Sequence, residues 1–170
     1  MQKHLIFLFL CFTAAWSSST FAGSTLIDLD SAPGNYSVWK VSDLSTNSVT
    51  FDATYASVKK HEEWAPSYSI ALSDGHGQSI KFKGSFQGAN APETSAVISK
   101  NGKDISSTDS ILAFNLKTRY KVSLAWADKE IEVTANGITK SYSVDFNPTE
   151  IEIICSTGEL EVKNIVFNSN

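Results

Sequence analysis

The last third of the chain, residues 119–167, constrains the fold more than any other stretch of the sequence. Short runs follow one another there, and within each run apolar and polar side chains alternate. Alternation with period two is typical of a β-strand with one buried face. Asn136-Gly137 separates two of these runs and marks a tight turn. The stretch therefore predicts a meander of antiparallel strands.

The same period continues through the rest of the chain after Gly23. No window of a dozen residues keeps the i, i+3, i+4, i+7 apolar spacing of an amphipathic helix. Asp74–Gly77 has the residues of a turn, and Asn101-Gly102 is a hairpin dipeptide suited to a type I′ turn. Residues 84–93 have the composition of a loop. A change of phase at Asn164 predicts a β-bulge. With about ten to twelve short strands, each sheet having one apolar face to bury, we predict an all-β, two-layer antiparallel β-sandwich of the jelly-roll type.

Residues 1–22 have the organisation of a signal peptide. Lys3 gives a positively charged start, Leu5–Ala15 is apolar, and Thr20–Ala22 places small residues where a signal peptidase reads them. The apolar run is shorter than the roughly 20 residues that span a bilayer. We predict an exported protein, secreted or periplasmic, whose mature chain is a single domain over residues 23–170. Retention of the leader as a membrane anchor is the alternative.

The charge and the cysteines of the mature chain limit its partners. Cleavage removes Lys3 and no acidic residue, which leaves 13 basic against 18 acidic residues and a formal charge of −5. A negative surface repels phosphate backbones and anionic headgroups, so we expect no nucleic-acid partner and no membrane insertion of the mature chain. Cys11 lies in the leader, so Cys155 has no intrachain disulfide partner. It is in phase with Ile151 and Ile153 and is expected to pack inward; a reactive thiol or a bridge to another chain is the alternative.

Three runs in the second half of the chain resemble a known superfamily. They are Tyr120–Trp126, with the pattern Tyr-x-Val-x-Leu, Ile131–Gly137, which ends in Asn-Gly, and Gly158–Ile165, of the Leu-x-Val-x-Asn-Ile type. In this order they resemble the back half of concanavalin A-like lectin/glucanase and laminin-G-like domains. Trp64–Phe82 is similar to the middle hairpin of such domains. The resemblance implies a curved double sheet whose concave face or rim often binds saccharides.

The carboxylates and histidines of the chain give little support to a catalytic role. Glycanases of that superfamily carry a Glu-x-Asp-x-Glu strand, but the nearest match here, Glu150-Ile-Glu152-Ile-Ile154, has Ile154 in the third acidic position. The mature chain keeps only His61 and His76, and it contains neither a Gly-x-Ser-x-Gly nor a His-Glu-x-x-His motif. We therefore predict that the protein is not an enzyme, with a divergent glycoside hydrolase as an alternative.

Asp74 and His76 are the weak candidates for a metal site. They lie two residues apart in a glycine-flanked turn and offer an oxygen and an imidazole nitrogen. Two ligand types in four residues are few for an ion, and an Asp in such a turn commonly accepts hydrogen bonds from its own backbone. We therefore expect no metal and no cofactor, although Ca²⁺, which legume-type lectins use, stays open.

Aromatic side chains are the basis of the binding hypothesis. A pyranose ring has an apolar C–H face that stacks on an indole or a phenol. Trp64 lies in the charged segment 59–66, where an indole has no obvious role unless it packs under the loop or binds a ligand. Trp39 is out of phase with Tyr36 and Val38, so either it or they face outward.

These observations predict an exported, non-catalytic protein that binds a carbohydrate or glycoconjugate, so a glycan or glycoprotein is the expected partner. A structural or protein-interaction module of the envelope or extracellular space is the alternative, because laminin-G-like domains support both roles. The sequence leaves the oligomeric state open. For His61, a solvated loop position is the alternative to a ligand contact. The residues predicted to contact a ligand are Trp64, Trp39, Tyr68 and His61.

Overall fold

The computed structural model describes residues 26–86, 92–100, 103–108 and 111–169. Twelve β-strands lie in these ranges. Among the described residues there is no helix long and apolar enough to cross a membrane. The strands are β1 (Leu26–Asp30), β2 (Tyr36–Val41), β3 (Ser48–Val58), β4 (Ser67–Ser73), β5 (Ser79–Ser85), β6 (Glu93–Lys100), β7 (Lys103–Thr108), β8 (Arg119–Ala127), β9 (Glu130–Ala135), β10 (Ile138–Ser143), β11 (Glu150–Ser156) and β12 (Gly158–Asn168).

The strands form two six-stranded sheets in which the paired strands are antiparallel. Sheet A has the order β1-β12-β3-β8-β9-β10, and sheet B has the order β2-β11-β4-β5-β6-β7. The apolar faces of both sheets contribute to one core cluster, so the sheets stack as two layers. The predicted all-β, two-layer antiparallel β-sandwich is confirmed.

Alternation in the sequence determines which side chains of sheet A enter the core. On β8, the apolar set Val122, Leu124 and Trp126 is buried, and the residues between them face outward. The turn between β9 and β10 has φ values of 48° at Asn136 and 84° at Gly137. Both values are positive, as in a type I′ turn, and the predicted tight turn between two strands is confirmed.

The phase change near the end of the chain is a β-bulge, as predicted. Pairing of β12 with β3 shifts in register between Lys163 and Val166, and Asn164 has a φ of 55°. The extra residue keeps both Val162 and Ile165 buried although they are three positions apart. A strict alternation would have turned Ile165 toward solvent.

One sequence-predicted turn is not described by the structure, and one predicted loop is described only in part. Asn101-Gly102 lies outside the described residues. The predicted loop at residues 84–93 is shorter than expected, because β5 continues through Ser85 and β6 begins at Glu93. Gly84 therefore belongs to a strand, where it faces the core opposite Tyr68. Residues 87–91 of that loop also lie outside the described residues.

Cys155 packs inward at the end of the inner row of β11, as predicted. Its side chain is fully buried and forms no disulfide with any residue that the structure describes. Burial raises the pKa of the Cys155 thiol to about 11. A reactive cysteine needs the opposite, an accessible thiol with a lowered pKa. Cys155 therefore behaves as a small core residue.

Candidate functional site

The segment between β3 and β4 lines an open cavity of about 760 Å³, which we call the Trp64 cavity. Its apolar lining consists of Val58, Ala65, Pro66 and Phe86. Its charged lining consists of Lys59, Lys60, Glu62 and Glu63. His61 and Trp64 complete the wall, so two of the four predicted ligand-contacting residues lie in one cavity.

Contacts with three other parts of the sandwich fix the segment that forms this cavity. The backbone N–H of Lys59 donates to the carbonyl of Thr157, at 2.8 Å, and its ammonium group forms an ion pair with Asp30. At the other end, the N–H of Phe86 donates to the carbonyl of Pro66, also at 2.8 Å. The segment is therefore tied to β1, to the β11–β12 turn and to the residue after β5.

His61 shapes the middle of the segment. Its Nδ1 accepts hydrogen bonds from the backbone N–H groups of Glu63 and Trp64, at 3.2 and 3.1 Å. Its ring also packs over Gly34, where an added Cβ would lie only 2.7 Å from Nε2. His61 thus holds the backbone at Glu63 and Trp64, and as an exposed residue of the cavity lining it stays a predicted ligand contact.

Trp64 has the most accessible indole among the described residues. The side chain is 44% exposed, and its ring lies edge-on to the ring of His61, with 6.4 Å between the ring centroids. The alternative that Trp64 packs fully under its loop is therefore not what the structure shows. An accessible indole face beside mixed charged groups can stack on an apolar ring while its neighbours form hydrogen bonds.

Trp39 and Tyr68 do not lie in the Trp64 cavity. On β2, Trp39 turns inward and is half-buried, with its ring 6.5 Å from that of Phe167. The residues of β2 that face outward are Tyr36, 64% exposed, and Val38, 44% exposed. This resolves the alternative that the sequence left open for β2, in favour of outward Tyr36 and Val38.

The structure corrects the prediction that Tyr68 contacts a ligand. Its side chain is 2% exposed, in phase with the buried Ile70 and Leu72 of β4. The hydroxyl donates to the carbonyl of Leu112 and accepts from the N–H of Phe114, and the ring stacks on that of Phe114. Burial raises the pKa of Tyr68 above its ordinary value. Tyr68 is a core residue that links β4 to the segment before β8.

A second groove, of about 420 Å³, lies on the outer face of sheet B, and we call it the Lys83 groove. Sequence reasoning missed it, because polar residues on an outward strand face normally contact only water. Ala65 lines both this groove and the Trp64 cavity, so the two adjoin. The side chains that line it from the outer face are Ser67, Ser69, Lys81, Lys83, Ser85 and Ile154.

Glu150, one acid of the pair that most resembles a glycanase motif, is held by neighbouring side chains. Glu150 forms an ion pair with Lys40 at 2.9 Å and accepts hydrogen bonds from Ser42 and Ser73. The hydrogen bond from Lys40, helped by the serines, lowers the pKa of Glu150. Glu152 lies on the same outer face, opposite Lys40 and Ala71. Neither acid lines the Trp64 cavity or the Lys83 groove.

The turn that holds the metal candidates uses its carboxylate internally. Asp74 accepts hydrogen bonds from the backbone N–H groups of His76 and Gln78, at 2.8 and 3.0 Å, and from the side chain of Gln78. Burial works to raise the pKa of Asp74, but these donors outweigh it and the pKa is lowered. Within the part of the chain that the structure describes, no group of three His, Cys, Asp or Glu side chains is placed to share a metal ion.

Solved structures with this fold include lectins and a glycanase. CG-16, a homodimeric agglutinin from chicken liver, superposes with a TM-score of 0.55 over 77% of this chain and 99% of its own, at 12% identity. Toad ovary galectin in complex with thio-digalactose gives 0.50 over 78% and 95%, at 12% identity. A β-glucanase from Bacillus licheniformis gives 0.53 over 87% and 79%, at 12% identity.

No family model matches this chain, and no curated protein gives a significant match. Identity as low as 12% shows the fold alone. The chain therefore has the concanavalin A-like fold of galectins and β-glucanases, which confirms the fold that the resemblance implied. Because one fold supports both a lectin and a glycanase, the function has to be argued from the site.

Proposed function

We propose that this protein is an exported, non-catalytic protein that binds a carbohydrate or glycoconjugate in the Trp64 cavity. The observation that carries the proposal is the indole of Trp64, 44% exposed on the wall of a cavity of about 760 Å³. Sites for small ligands typically have volumes of roughly 300–1,000 Å³. The cavity therefore has the size and the aromatic wall that a sugar site needs.

The lining supplies the two kinds of contact that a sugar ring makes. The apolar C–H face of a pyranose stacks on Trp64, while its hydroxyl groups both donate and accept hydrogen bonds. Lys60 is a donor, and Glu62 and Glu63 are acceptors, so the lining serves both roles. Because the segment is already tied to the sandwich, binding costs little ordering entropy.

The fold neighbours support a sugar as the ligand. The toad ovary galectin was solved with thio-digalactose. The β-glucanase leaves hydrolysis as a rival, but the lowered pKa of Glu150 is opposite to the raised pKa of a glycosidase acid. We therefore favour binding over hydrolysis.

A protein partner is the second candidate function, and one observation favours it. Tyr36 and Val38 are 64% and 44% exposed, and they lie on β2, an edge strand of sheet B. Exposed apolar side chains on an edge strand are typical of interaction surfaces. Such a partner would not need the Trp64 cavity, so the experiment below separates the two candidates.

Trp64→Ala is expected to weaken glycan binding at least about tenfold, which corresponds to about 1.4 kcal/mol. Isothermal titration calorimetry on the mature protein first identifies which neutral or acidic oligosaccharides of a panel bind, and then measures the variant. Ile138→Ala is the matched control, because Ile138 is 64% exposed on β10 and lies outside the cavity lining.

Two results would contradict the proposal. One is the absence of binding by any oligosaccharide in the panel. The other is equal affinity of the wild type and Trp64→Ala for a glycan that does bind, with both proteins showing the same melting temperature.

A further inference from the structure

The Lys83 groove follows the pairing of three strands of sheet B. Ser69 lies opposite Lys83 on β5 and opposite Ile154 on β11. Two residues earlier on β4, Ser67 lies opposite Ser85. These five residues form the wall and the floor of the groove. The groove therefore has one apolar side, at Ile154, and a floor and opposite side of hydroxyl and ammonium groups.

The two lysines of the groove are side by side and unpaired. Lys81 and Lys83 are two positions apart on β5, so they project from the same face with Cα atoms about 7 Å apart. Neither forms an ion pair with any residue that the structure describes. Lys40, by contrast, is paired with Glu150 on the same sheet. The neighbouring acids are Glu93 on β6 and Glu152 on β11, and neither lines the groove.

The hydroxyl groups of the groove are also without partners in the described part of the chain. The side chains of Ser67, Ser69 and Ser85 form no hydrogen bond with any described residue. Ser69 is 8% exposed, and its hydroxyl is not among the described buried polar atoms that lack a partner, so it reaches the surface of the groove. Three hydroxyl groups and two ammonium groups thus remain free to donate to a ligand.

The position of Lys81 is set by its neighbours. It lies between Ala71 on β4 and Val97 on β6, and each of these outward-facing residues is 6% exposed. Small residues on an outer face become inaccessible when a long side chain covers them. Lys81 is placed to cover Ala71 and Val97 with its methylene stem while its ammonium group stays at the surface. Such a lysine loses less rotamer entropy when it binds.

From this arrangement we infer that the Lys83 groove binds the anionic group of an acidic saccharide, a uronate carboxylate or a sulfate ester. The inference rests on the proposed function, since the same saccharide would stack a ring on Trp64. Ala65 lines both the groove and the cavity, so an oligosaccharide can occupy both at once.

An anion is the ligand group that fits this donor set. Lysine ammonium groups and serine hydroxyls donate to carboxylate or sulfate oxygens in short, charge-assisted hydrogen bonds. The acidic surface elsewhere on the protein disfavours extended polyanions. A single acidic group on an otherwise neutral sugar chain satisfies the local donors and avoids that repulsion.

The experiment compares galactotriose, trigalacturonate and sulfated galactotriose by isothermal titration calorimetry on the mature protein. We expect at least one acidic trisaccharide to bind at least about tenfold more tightly than the neutral one, and we expect Lys81→Gln/Lys83→Gln to abolish that difference. The Lys103→Gln/Lys121→Gln variant changes the net charge equally at two lysines outside the groove and is expected to keep the difference.

Tighter binding of trigalacturonate would identify a carboxylate as the anionic group, and tighter binding of sulfated galactotriose would identify a sulfate ester. Either result supports the inference. Equal affinity for all three trisaccharides, no binding of any of them, or an unchanged preference in Lys81→Gln/Lys83→Gln would overturn it. Inorganic sulfate that binds alone as tightly as the acidic trisaccharides would also overturn it, because the sugar would then contribute nothing. Binding of another glycan that depends on Trp64 would still leave the proposed function standing.

Discussion

Replacing Gly84 with alanine is expected to destabilise the protein by about 3 kcal/mol, the upper end of the usual cost of overpacking a core. Gly84 lies directly opposite Tyr68, and an added Cβ would lie closer than 3.0 Å to three atoms of the Tyr68 side chain. That ring has no room to move, because it stacks on Phe114 and its hydroxyl is bonded to Leu112 and Phe114. Urea unfolding of the wild type and Gly84→Ala measures the loss.

A double-mutant cycle tests whether the contact with Tyr68 is the cause. Tyr68→Leu shortens the side chain over Gly84, so the alanine Cβ gains space. In that background we expect Gly84→Ala to cost less than about 1 kcal/mol, which makes the two substitutions strongly coupled. The same penalty in both backgrounds would contradict the explanation and would point to the backbone of β5 instead.

Gly158→Ala is expected to cost at least about 3 kcal/mol, because part of its clash is with backbone. An added Cβ would lie 2.7 Å from the carbonyl oxygen of Ser57 and 2.9 Å from Cζ of Tyr55, and it would also meet the Tyr55 hydroxyl. Gly158 pairs with Val58, so the backbone of β3 is fixed there. Thermal and urea unfolding of the variant measure the effect.

Tyr55→Phe provides the control for Gly158→Ala. It removes only the hydroxyl group and leaves both the ring and the Ser57 carbonyl in place. We therefore expect the double variant to recover little of the stability that Gly158→Ala loses, unlike the recovery expected for Gly84→Ala with Tyr68→Leu. Full recovery in Tyr55→Phe would show that the hydroxyl alone caused the clash.

The fold could be predicted from the sequence because each strand of a sandwich buries one face, so apolar and polar residues alternate along it. The apolar phase of β8 predicted its buried face, and Asn136-Gly137 predicted the tight turn between β9 and β10. The phase change at Asn164 likewise predicted the bulge in β12. Each of these signals lies within a few residues of the feature that it predicts.

The site was harder to predict because it depends on packing between distant segments. Trp64 and His61 are three positions apart and could be found together in the sequence. Tyr68 was assigned wrongly, although its phase with Ile70 already indicated the core. The Lys83 groove needs the register of β5 against β4 and β11, and β11 comes some 70 residues later in the chain. No local pattern contains that information.

The most direct test follows the indole N–H signals of the mature protein by NMR during titration with the oligosaccharide that binds best. Residues 23–170, the predicted mature chain, contain three tryptophans, of which Trp64 is the most exposed and Trp126 is buried. We expect the Trp64 indole signal and the amides of residues 58–66 to shift together, while the Trp126 signal stays unchanged. Saturable binding that leaves the Trp64 signal unmoved, or no shift with any oligosaccharide, would contradict a sugar site in the Trp64 cavity.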